Sequence, residues 1–509
     1  MNPKTILLFG AGKSATFLID YLLAEAENDL GKMGWQFIIA DADEKLILEK
    51  TKGNPLAKVE VLDITNEKAR ENIIQQADLV ISMMPPSLHI LIAKDCLAYK
   101  KNLLTASYAD DEIKSLNEEI KKSGLLFLYE MGLDPGIDHM SAMQILDDLR
   151  LKGAVIHSFK SHCGGLIAPE SNDNPWQYKI TWNPRNIVLA GKAGAIYKNE
   201  DAVVIESYEE LFDTTRTVVY GENELEVFGY YPNRNSIPYM ELYGLENAST
   251  FMRTTLRYRD FMYGWKNIID LKLTDEQVQY DTTNLSLHEF FRTHLEKNGF
   301  GEWLQQKLAE RFAETKTLLD NLMKLIEAEE AAEIQGEEIP ENFLMVDEEG
   351  ALKNIEIDEI KNSAASAMAH KMHEANLIMK QLGHLGLNDE ETIINKGMCS
   401  AADVLQFSLE KKLALSSGDK DMIVMLHEIE YAINGENKMI KSSLTVIGDD
   451  SLHTAMAKTV GLPLGIAAKL ILNGSITLTG LHVPVAREIY EPVLAELKTF
   501  GIAFNESGH

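Results

Sequence analysis

The stretch from Thr5 to Asp41 limits what this chain can fold into more than any other. Thr5 to Phe9 (TILLF) is an unbroken apolar run, as expected of a parallel strand covered on both faces. It leads into Gly10-Ala11-Gly12-Lys13-Ser14-Ala15 and an amphipathic helical pattern from about Ser14 to Glu27. A second apolar run, Phe37 to Ala40, then stops at Asp41. A GxGxxA spacing carries physical meaning only in this order of strand, turn, helix and acid-terminated strand. Gly10 permits the tight turn, Gly12 lets a pyrophosphate approach the backbone, and small Ala15 lets the helix settle on the strand. The helix start offers N–H groups and a positive dipole end to phosphates. Gly10, Gly12, Lys13 and Ser14 are therefore expected to hold a dinucleotide; the bland alternative is a tight turn without a ligand.

Asp41 speaks to which dinucleotide. A carboxylate ending the second strand accepts hydrogen bonds from ribose hydroxyls and repels a 2′-phosphate. The expectation is NAD or NADP with NAD favoured, although Lys45 and Lys50 could still meet a phosphate and Asp43 competes for the ribose role. Strand and helix patterns go on alternating. A strand Val59 to Asp63 places Asp63 toward the adenine end. Another, Ala77 to Ser82, runs into Met83-Met84-Pro85-Pro86, which puts Met84 and Pro85 beside the nicotinamide ribose. Asn102 to Thr105 delivers Ser107 and Tyr108, and Gly124 to Tyr129 delivers GLDPGID with Asp134. Ligands of open α/β sheets bind beyond the carboxyl ends of the strands, so these residues should share one crevice.

Composition narrows the function classes. A net charge of −29 over 509 residues argues against a general nucleic-acid binder, which needs a basic face for phosphates, and against adsorption on anionic membranes. The length implies two or three domains. Cys96, Cys163 and Cys399 lie far apart with no CxxC pair, so neither a disulfide framework nor a zinc cluster is expected. No uninterrupted apolar run reaches membrane-spanning length, and the reading is a cytoplasmic protein.

From Tyr129 to Trp182 the chain is punctuated by Gly, Pro, Asn, Asp and His, the residues of loops that carry side chains to a cleft. From Ala154 to about Asp270 strands and polar turns follow, with Arg234, Arg253, Arg257 and Arg259 set among Tyr, Asn and Thr. In so acidic a protein such arginines suit carboxylate recognition, because guanidinium binds carboxylate in a two-pronged fashion; surface ion pairs are the alternative for any one of them. Residues from about 286 to 385 read as helices. The stretch Glu327 to Glu359 holds thirteen acidic residues against one basic, Lys353, as a solvated face would. His370 and His373 lie one turn apart, too few for a metal site. Gly461, Pro463 and Gly465 imply a closely packed helix near the end.

Six groups of residues carry a resemblance. They are Asp134-Pro135-Gly136-Ile137-Asp138-His139, Cys163-Gly164-Gly165-Leu166 with Ala168-Pro169-Glu170, Asn174-Pro175 with Tyr178-Lys179 and Trp182, Tyr231-Pro232-Asn233-Arg234, Thr255-Leu256-Arg257-Tyr258, and Met456 to Pro463. In this order they resemble saccharopine dehydrogenases of the L-glutamate-forming type, over nearly the whole chain except about 285 to 390. The resemblance implies an α/β fold in three parts. These are an N-terminal Rossmann-like doubly wound parallel sheet (1–133), a second α/β domain with a mixed sheet for substrate and dimerisation (134–285 and 390–509), and a helical insert (286–389).

It also implies a nicotinamide-dependent interconversion of saccharopine with L-glutamate and 2-aminoadipate 6-semialdehyde by a homodimer. By the same resemblance Tyr108, Asp134 and Cys163 surround the reacting carbon as catalytic groups, with Cys163 either an acid or base or an inert lining of the pocket. Arg234 and Arg257 meet substrate carboxylates, Arg253 supports them, and Ser107, Asn183 and Thr255 add neutral hydrogen bonds. Asn183 stands where the family has serine, and Asn235 where it usually has Asp. The competing readings are a related imine-reducing dehydrogenase, such as carboxynorspermidine dehydrogenase, and a non-catalytic Rossmann nucleotide binder.

Overall fold

The computed structural model describes residues 4–28, 34–212, 216–221, 226–310 and 376–508, with isolated positions and the backbone of one hairpin between 311 and 375. Six parallel strands open the chain: Thr5–Phe9 (β1), Gln36–Asp41 (β2), Ala57–Val61 (β3), Leu79–Ser82 (β4), Asn102–Thr105 (β5) and Leu126–Leu128 (β6). They lie side by side in the order β6-β5-β4-β1-β2-β3. The order reverses between β1 and β4, where a doubly wound sheet opens its ligand crevice. All five residues of β1 are buried because both faces are covered. Ile6 and Leu8 join one apolar cluster, and Leu7 and Phe9 join another. The third strand begins and ends two residues earlier than the sequence pattern places it.

A seventh strand comes from the far end of the chain. Gly480–His482 pairs parallel with β6, and the Tyr129 N–H donates to the His482 carbonyl at 2.9 Å. The expectation that 390–509 belongs wholly to the second domain is corrected here. A three-residue strand, GLH, is too short to show a period. The helix Ala455–Leu472 also serves this region by packing on Thr16–Asn28 (α1). A Cβ at Gly461 would stand 2.9 Å from the Leu18 backbone nitrogen, and one at Gly465 would stand 2.5 Å from Tyr21 Cδ1. Close packing is the sequence expectation for these glycines; the Leu18 backbone is the reason at Gly461 and the Tyr21 ring at Gly465. Gly461→Val should therefore cost about 1–3 kcal/mol of stability as an overpacked contact, read as a lowered urea midpoint. An unchanged midpoint would mean that the two helices can move apart freely. Ala455–Leu472 is long and apolar enough to cross a membrane although the expectation from sequence was that no run reaches that length, and most of it is buried in protein.

A second, mixed sheet of ten strands follows. Its centre is Val155–Ile167 (β7), paired parallel with Thr250–Arg257 and antiparallel with Asp421–Ile433. Asp421–Ile433 continues antiparallel to Glu436–Ile447. Two glycines in β7 answer to close neighbours, since a Cβ at Gly164 would meet the Leu256 carbonyl oxygen at 2.6 Å and one at Gly165 the Met456 methyl carbon at 2.7 Å.

A separate compact unit comprises Asn174–Trp176 and Asp260–Lys412, a wider span than the 286–389 expected for the insert. Inside it the Trp176 ring meets Phe261 and Trp265, and Ser286 with Glu289 forms a reciprocal cap on the helix Leu287–Lys297. Val278–Asp281 pairs with Met398–Ser400. A hairpin of Asn342–Val346 and Leu352–Glu356 interrupts the stretch read as helical. The rest of the acidic run Glu327 to Glu359, and His370, lie outside the described residues.

Candidate active site

The carboxyl ends of β1, β4, β5 and β6 bring the cleft residues together. Gly10 sits at φ +95° beside the Met83 carbonyl, a conformation and a distance that only glycine meets without strain. Gly12 is different. A Cβ there would meet nothing within 4 Å, so the fold does not demand a glycine and the open space suits the close approach of a pyrophosphate. Ala15 is buried under the turn. The residues present fit a dinucleotide.

Asp41 does structural work at this turn. One carboxylate oxygen accepts the Ala11 N–H at 2.7 Å and the other the Asp43 N–H at 3.0 Å. Asp43 in turn caps the helix Glu44–Thr51. Lys50 is buried and donates to the Gly12 carbonyl; burial lowers its ammonium to about 8. The lysine thus supports the turn from beneath. Asp63 is exposed and closes a local turn on the N–H and hydroxyl of Thr65, which hold its carboxyl below the usual range. Pro85 is exposed and starts a short 3₁₀ turn, Pro86–Leu88.

Behind Ser107 stands a group that the sequence reading did not assign. His89 is buried with its Nδ1 2.8 Å from the Ser82 hydroxyl and its Nε2 2.7 Å from the Ser107 hydroxyl. Burial holds this imidazole down at about 4, so it stays neutral and fixes the Ser107 side chain from behind.

The acids and arginines form a buried network. Arg253 Nη2 lies 2.6 Å from Asp134 Oδ1 and 2.7 Å from Asp138 Oδ2. Asp138 also accepts the Gly136 N–H at 2.6 Å. His139 bridges Glu130 (2.8 Å) and Tyr243 (2.5 Å), and the Tyr239 hydroxyl reaches the same Glu130 oxygen at 3.2 Å. Glu130 adopts φ +58°, a conformation that costs a non-glycine residue about 1–3 kcal/mol and recurs at functional sites. Asp134 keeps 13% of its side chain exposed against 1% for Asp138, so it is the acid at the cleft. Burial raises its carboxyl to about 6 against the lowering effect of Arg253. Asp138 is held below the usual range, since His139, Arg253 and the Gly136 N–H outweigh its burial. Tyr108 is raised by burial and then by the Asp134 charge, and it remains a phenol.

The other expected residues take varied places. Arg234 sits at φ +55°, exposed, with its guanidinium 5.0 Å from the Tyr108 ring centre. Arg257 is buried, donates to the Leu256 carbonyl and lies 5.4 Å from the Tyr178 ring centre. Thr255 stands opposite Cys163 in the sheet register. Burial, then the Asp134 charge, pushes the Cys163 thiol well up, which leaves it a protonated pocket wall. Asn183 is exposed and its side chain caps Pro184–Val188 by accepting the Arg185 N–H.

Two family models cover nearly the whole chain. The saccharopine dehydrogenase NADP binding domain matches residues 6–128, and the saccharopine dehydrogenase C-terminal domain matches 132–502. The chain belongs to the saccharopine dehydrogenase family. It is 30% identical to the saccharopine dehydrogenase (NADP(+), L-glutamate-forming) of Saccharomyces cerevisiae over 99% of each chain. To the alpha-aminoadipic semialdehyde synthase of Arabidopsis thaliana it is 31% identical over 99% of its own length and 45% of that protein. It thus spans about half the length of such plant and mammalian relatives. A solved apo saccharopine dehydrogenase (L-Glu forming) from S. cerevisiae superposes with a TM-score of 0.75 at 26% identity, covering 99% of this chain and 100% of that one. The expectation of an α/β fold with a Rossmann-like sheet and a second, mixed sheet therefore holds for this chain. The matched domain and the fungal relatives are named for NADP, which counts against the preference for NAD read from Asp41.

Proposed function

We propose that this chain interconverts saccharopine with L-glutamate and 2-aminoadipate 6-semialdehyde, using a nicotinamide dinucleotide. The observation that carries the reading is one partly exposed carboxylate, Asp134, paired with a buried guanidinium at the carboxyl edge of a dinucleotide-type sheet. Gly10, Gly12 and the start of the first helix would hold the dinucleotide, whose nicotinamide exchanges a hydride with the substrate carbon.

The side chains do the rest. In the oxidative direction a carbon–nitrogen double bond forms in the substrate and water adds to its carbon. The Asp134 carboxylate takes the water's proton and passes it to the glutamate nitrogen; as the C–N bond then breaks, the hydroxyl left on the carbon returns its proton to the same carboxylate and becomes the aldehyde. Tyr108 orients the new aldehyde oxygen as a neutral donor. Arg257 and Arg234 meet carboxylates of the substrate, with Thr255 and Ser107 as neutral partners. The test is to follow reduced-nicotinamide absorbance when saccharopine is mixed with NAD or NADP. An increase with either one supports the reading, and silence with both, in both directions, removes it.

For the form of the cofactor we carry the charge argument, because it concerns this chain's own residues. A 2′-phosphate at the end of β2 would meet Asp41, Asp43 and Glu44 against Lys45 alone, while Lys50 is committed to the Gly12 carbonyl. NAD should therefore be preferred, and Asp41→Ala should narrow the NAD:NADP ratio of kcat/KM by about tenfold, ~1.4 kcal/mol. A wild-type chain that prefers NADP would overturn the charge argument and leave the reaction untouched. A homodimer is also expected from the family resemblance, and light scattering of the purified chain measures it.

A further inference from the structure

Arg253 was expected to assist in binding substrate carboxylates, yet its geometry gives it other work. The side chain is 3% exposed, and the one nitrogen, Nη2, is shared between Asp134 and Asp138. Its guanidinium carbon lies over the Tyr239 ring, 4.4 Å from the ring centre, and its backbone N–H is tied to the Ser236 hydroxyl at 3.1 Å. Asp138 is anchored on its other oxygen by the Gly136 N–H and lies 3.9 Å from His139 Nδ1. His139 is itself clamped between Glu130 and Tyr243. Of the two acids on Arg253, Asp138 is 1% exposed and Asp134 13%, so Asp134 is the one that solvent reaches.

We propose that Arg253 is a positioning residue: anchored by Asp138, it holds Asp134 at the cleft for proton transfer and binds no substrate carboxylate. This rests on the reading of Asp134 given above. The groups facing Asp134 come from every element packed around it. They are Arg253 from Thr250–Arg257, Asp138 and His139 from the helix Ile137–Leu151, and Glu130 from the segment after β6. Tyr108 after β5 and Cys163 of β7 complete the set. Asp134 and Asp138 share one guanidinium, so the charge on Asp134 is sensitive to both Arg253 and Asp138. A group with that role governs kcat and its pH dependence, whereas a substrate ligand governs affinity in the ground state as well.

The experiment compares Arg253→Lys and Asp138→Asn with the full-length wild type. It reads the kcat and KM of saccharopine oxidation, the acid limb of kcat against pH, and L-glutamate affinity by calorimetry. Arg253→Lys should lower kcat by about tenfold or more, with saccharopine KM and L-glutamate affinity within about twofold. Asp138→Asn should move the acid limb to lower pH, because losing a neighbouring negative charge makes ionised Asp134 less costly. An L-glutamate affinity weakened about tenfold or more in Arg253→Lys, with the acid limb of Asp138→Asn unmoved, would show Arg253 to be a carboxylate ligand and overturn the proposal. A wild type without activity would sink the reaction assigned above, while the glutamate affinity of Arg253→Lys would still decide between the two roles.

Discussion

Asp134→Asn should lower kcat for saccharopine oxidation by about 10²–10⁴-fold, the scale of one positioned proton-transfer group, with KM much less affected. The substitution keeps the shape of the side chain. It also keeps an oxygen to accept from Arg253 Nη2, so the loss falls on proton transfer. The pH profile follows from the same residue. Burial raises its carboxyl to about 6, and the ionised form is the one that takes the proton from water. Activity in the oxidative direction should therefore fall as pH drops through about 6 and be retained above it. Stability responds to the same group with the opposite preference. A carboxyl whose folded value lies above its unfolded value favours the fold in its neutral form, and that contribution is lost as pH rises through about 6. Opposing pH trends for activity and for this part of the stability would be the signature of Asp134. A kcat for Asp134→Asn within tenfold of the wild type would remove it from the proton path.

Arg257→Ala should weaken saccharopine binding by about 2–5 kcal/mol, the range for removing one partner of a desolvated charged contact. In a titration this is a loss of roughly 30-fold or more, since each 1.4 kcal/mol is tenfold. Arg257 is 4% exposed, so little of its interaction is lost to solvent screening. It follows Arg253 and Thr255 at a spacing of two on one strand, which turns all three to the same face of the sheet. Arg234 is exposed, and its alanine variant belongs at the lower end of that range. Equal saccharopine affinity in Arg257→Ala and the wild type would refute the assignment.

What could be read from the residues, and what could not, divides by distance along the chain. The first sheet was readable because Thr5 to Asp41 puts strand, glycine turn, helix and acid within one local unit, and each residue type has a steric reason. The glycines of Ala455–Leu472 were readable too, because glycine inside a helix costs stability unless a neighbour comes close. The role of Asp138 was not. It sits in the quoted GLDPGIDH motif, but its partner Arg253 is 115 residues away, and no periodicity records such a pairing. Glu130 and His89 were missed for a related reason: one is marked by a left-handed backbone and the other by two serine contacts, both of which exist only after folding. The strand Gly480–His482 carries too few residues to show alternation. The hairpin inside the acidic region was hidden by the charge of its surroundings, which reads as a solvated helical face.

The central claim is that this cleft makes and breaks a carbon–nitrogen bond between glutamate and an aldehyde. The most direct measurement supplies ¹⁵N-labelled L-glutamate, 2-aminoadipate 6-semialdehyde and reduced nicotinamide cofactor to the purified chain, and follows the product by mass spectrometry alongside cofactor oxidation. The account predicts a labelled product with the mass of saccharopine, formed one for one with cofactor oxidised. Cofactor oxidation that proceeds without taking up the glutamate nitrogen would contradict it.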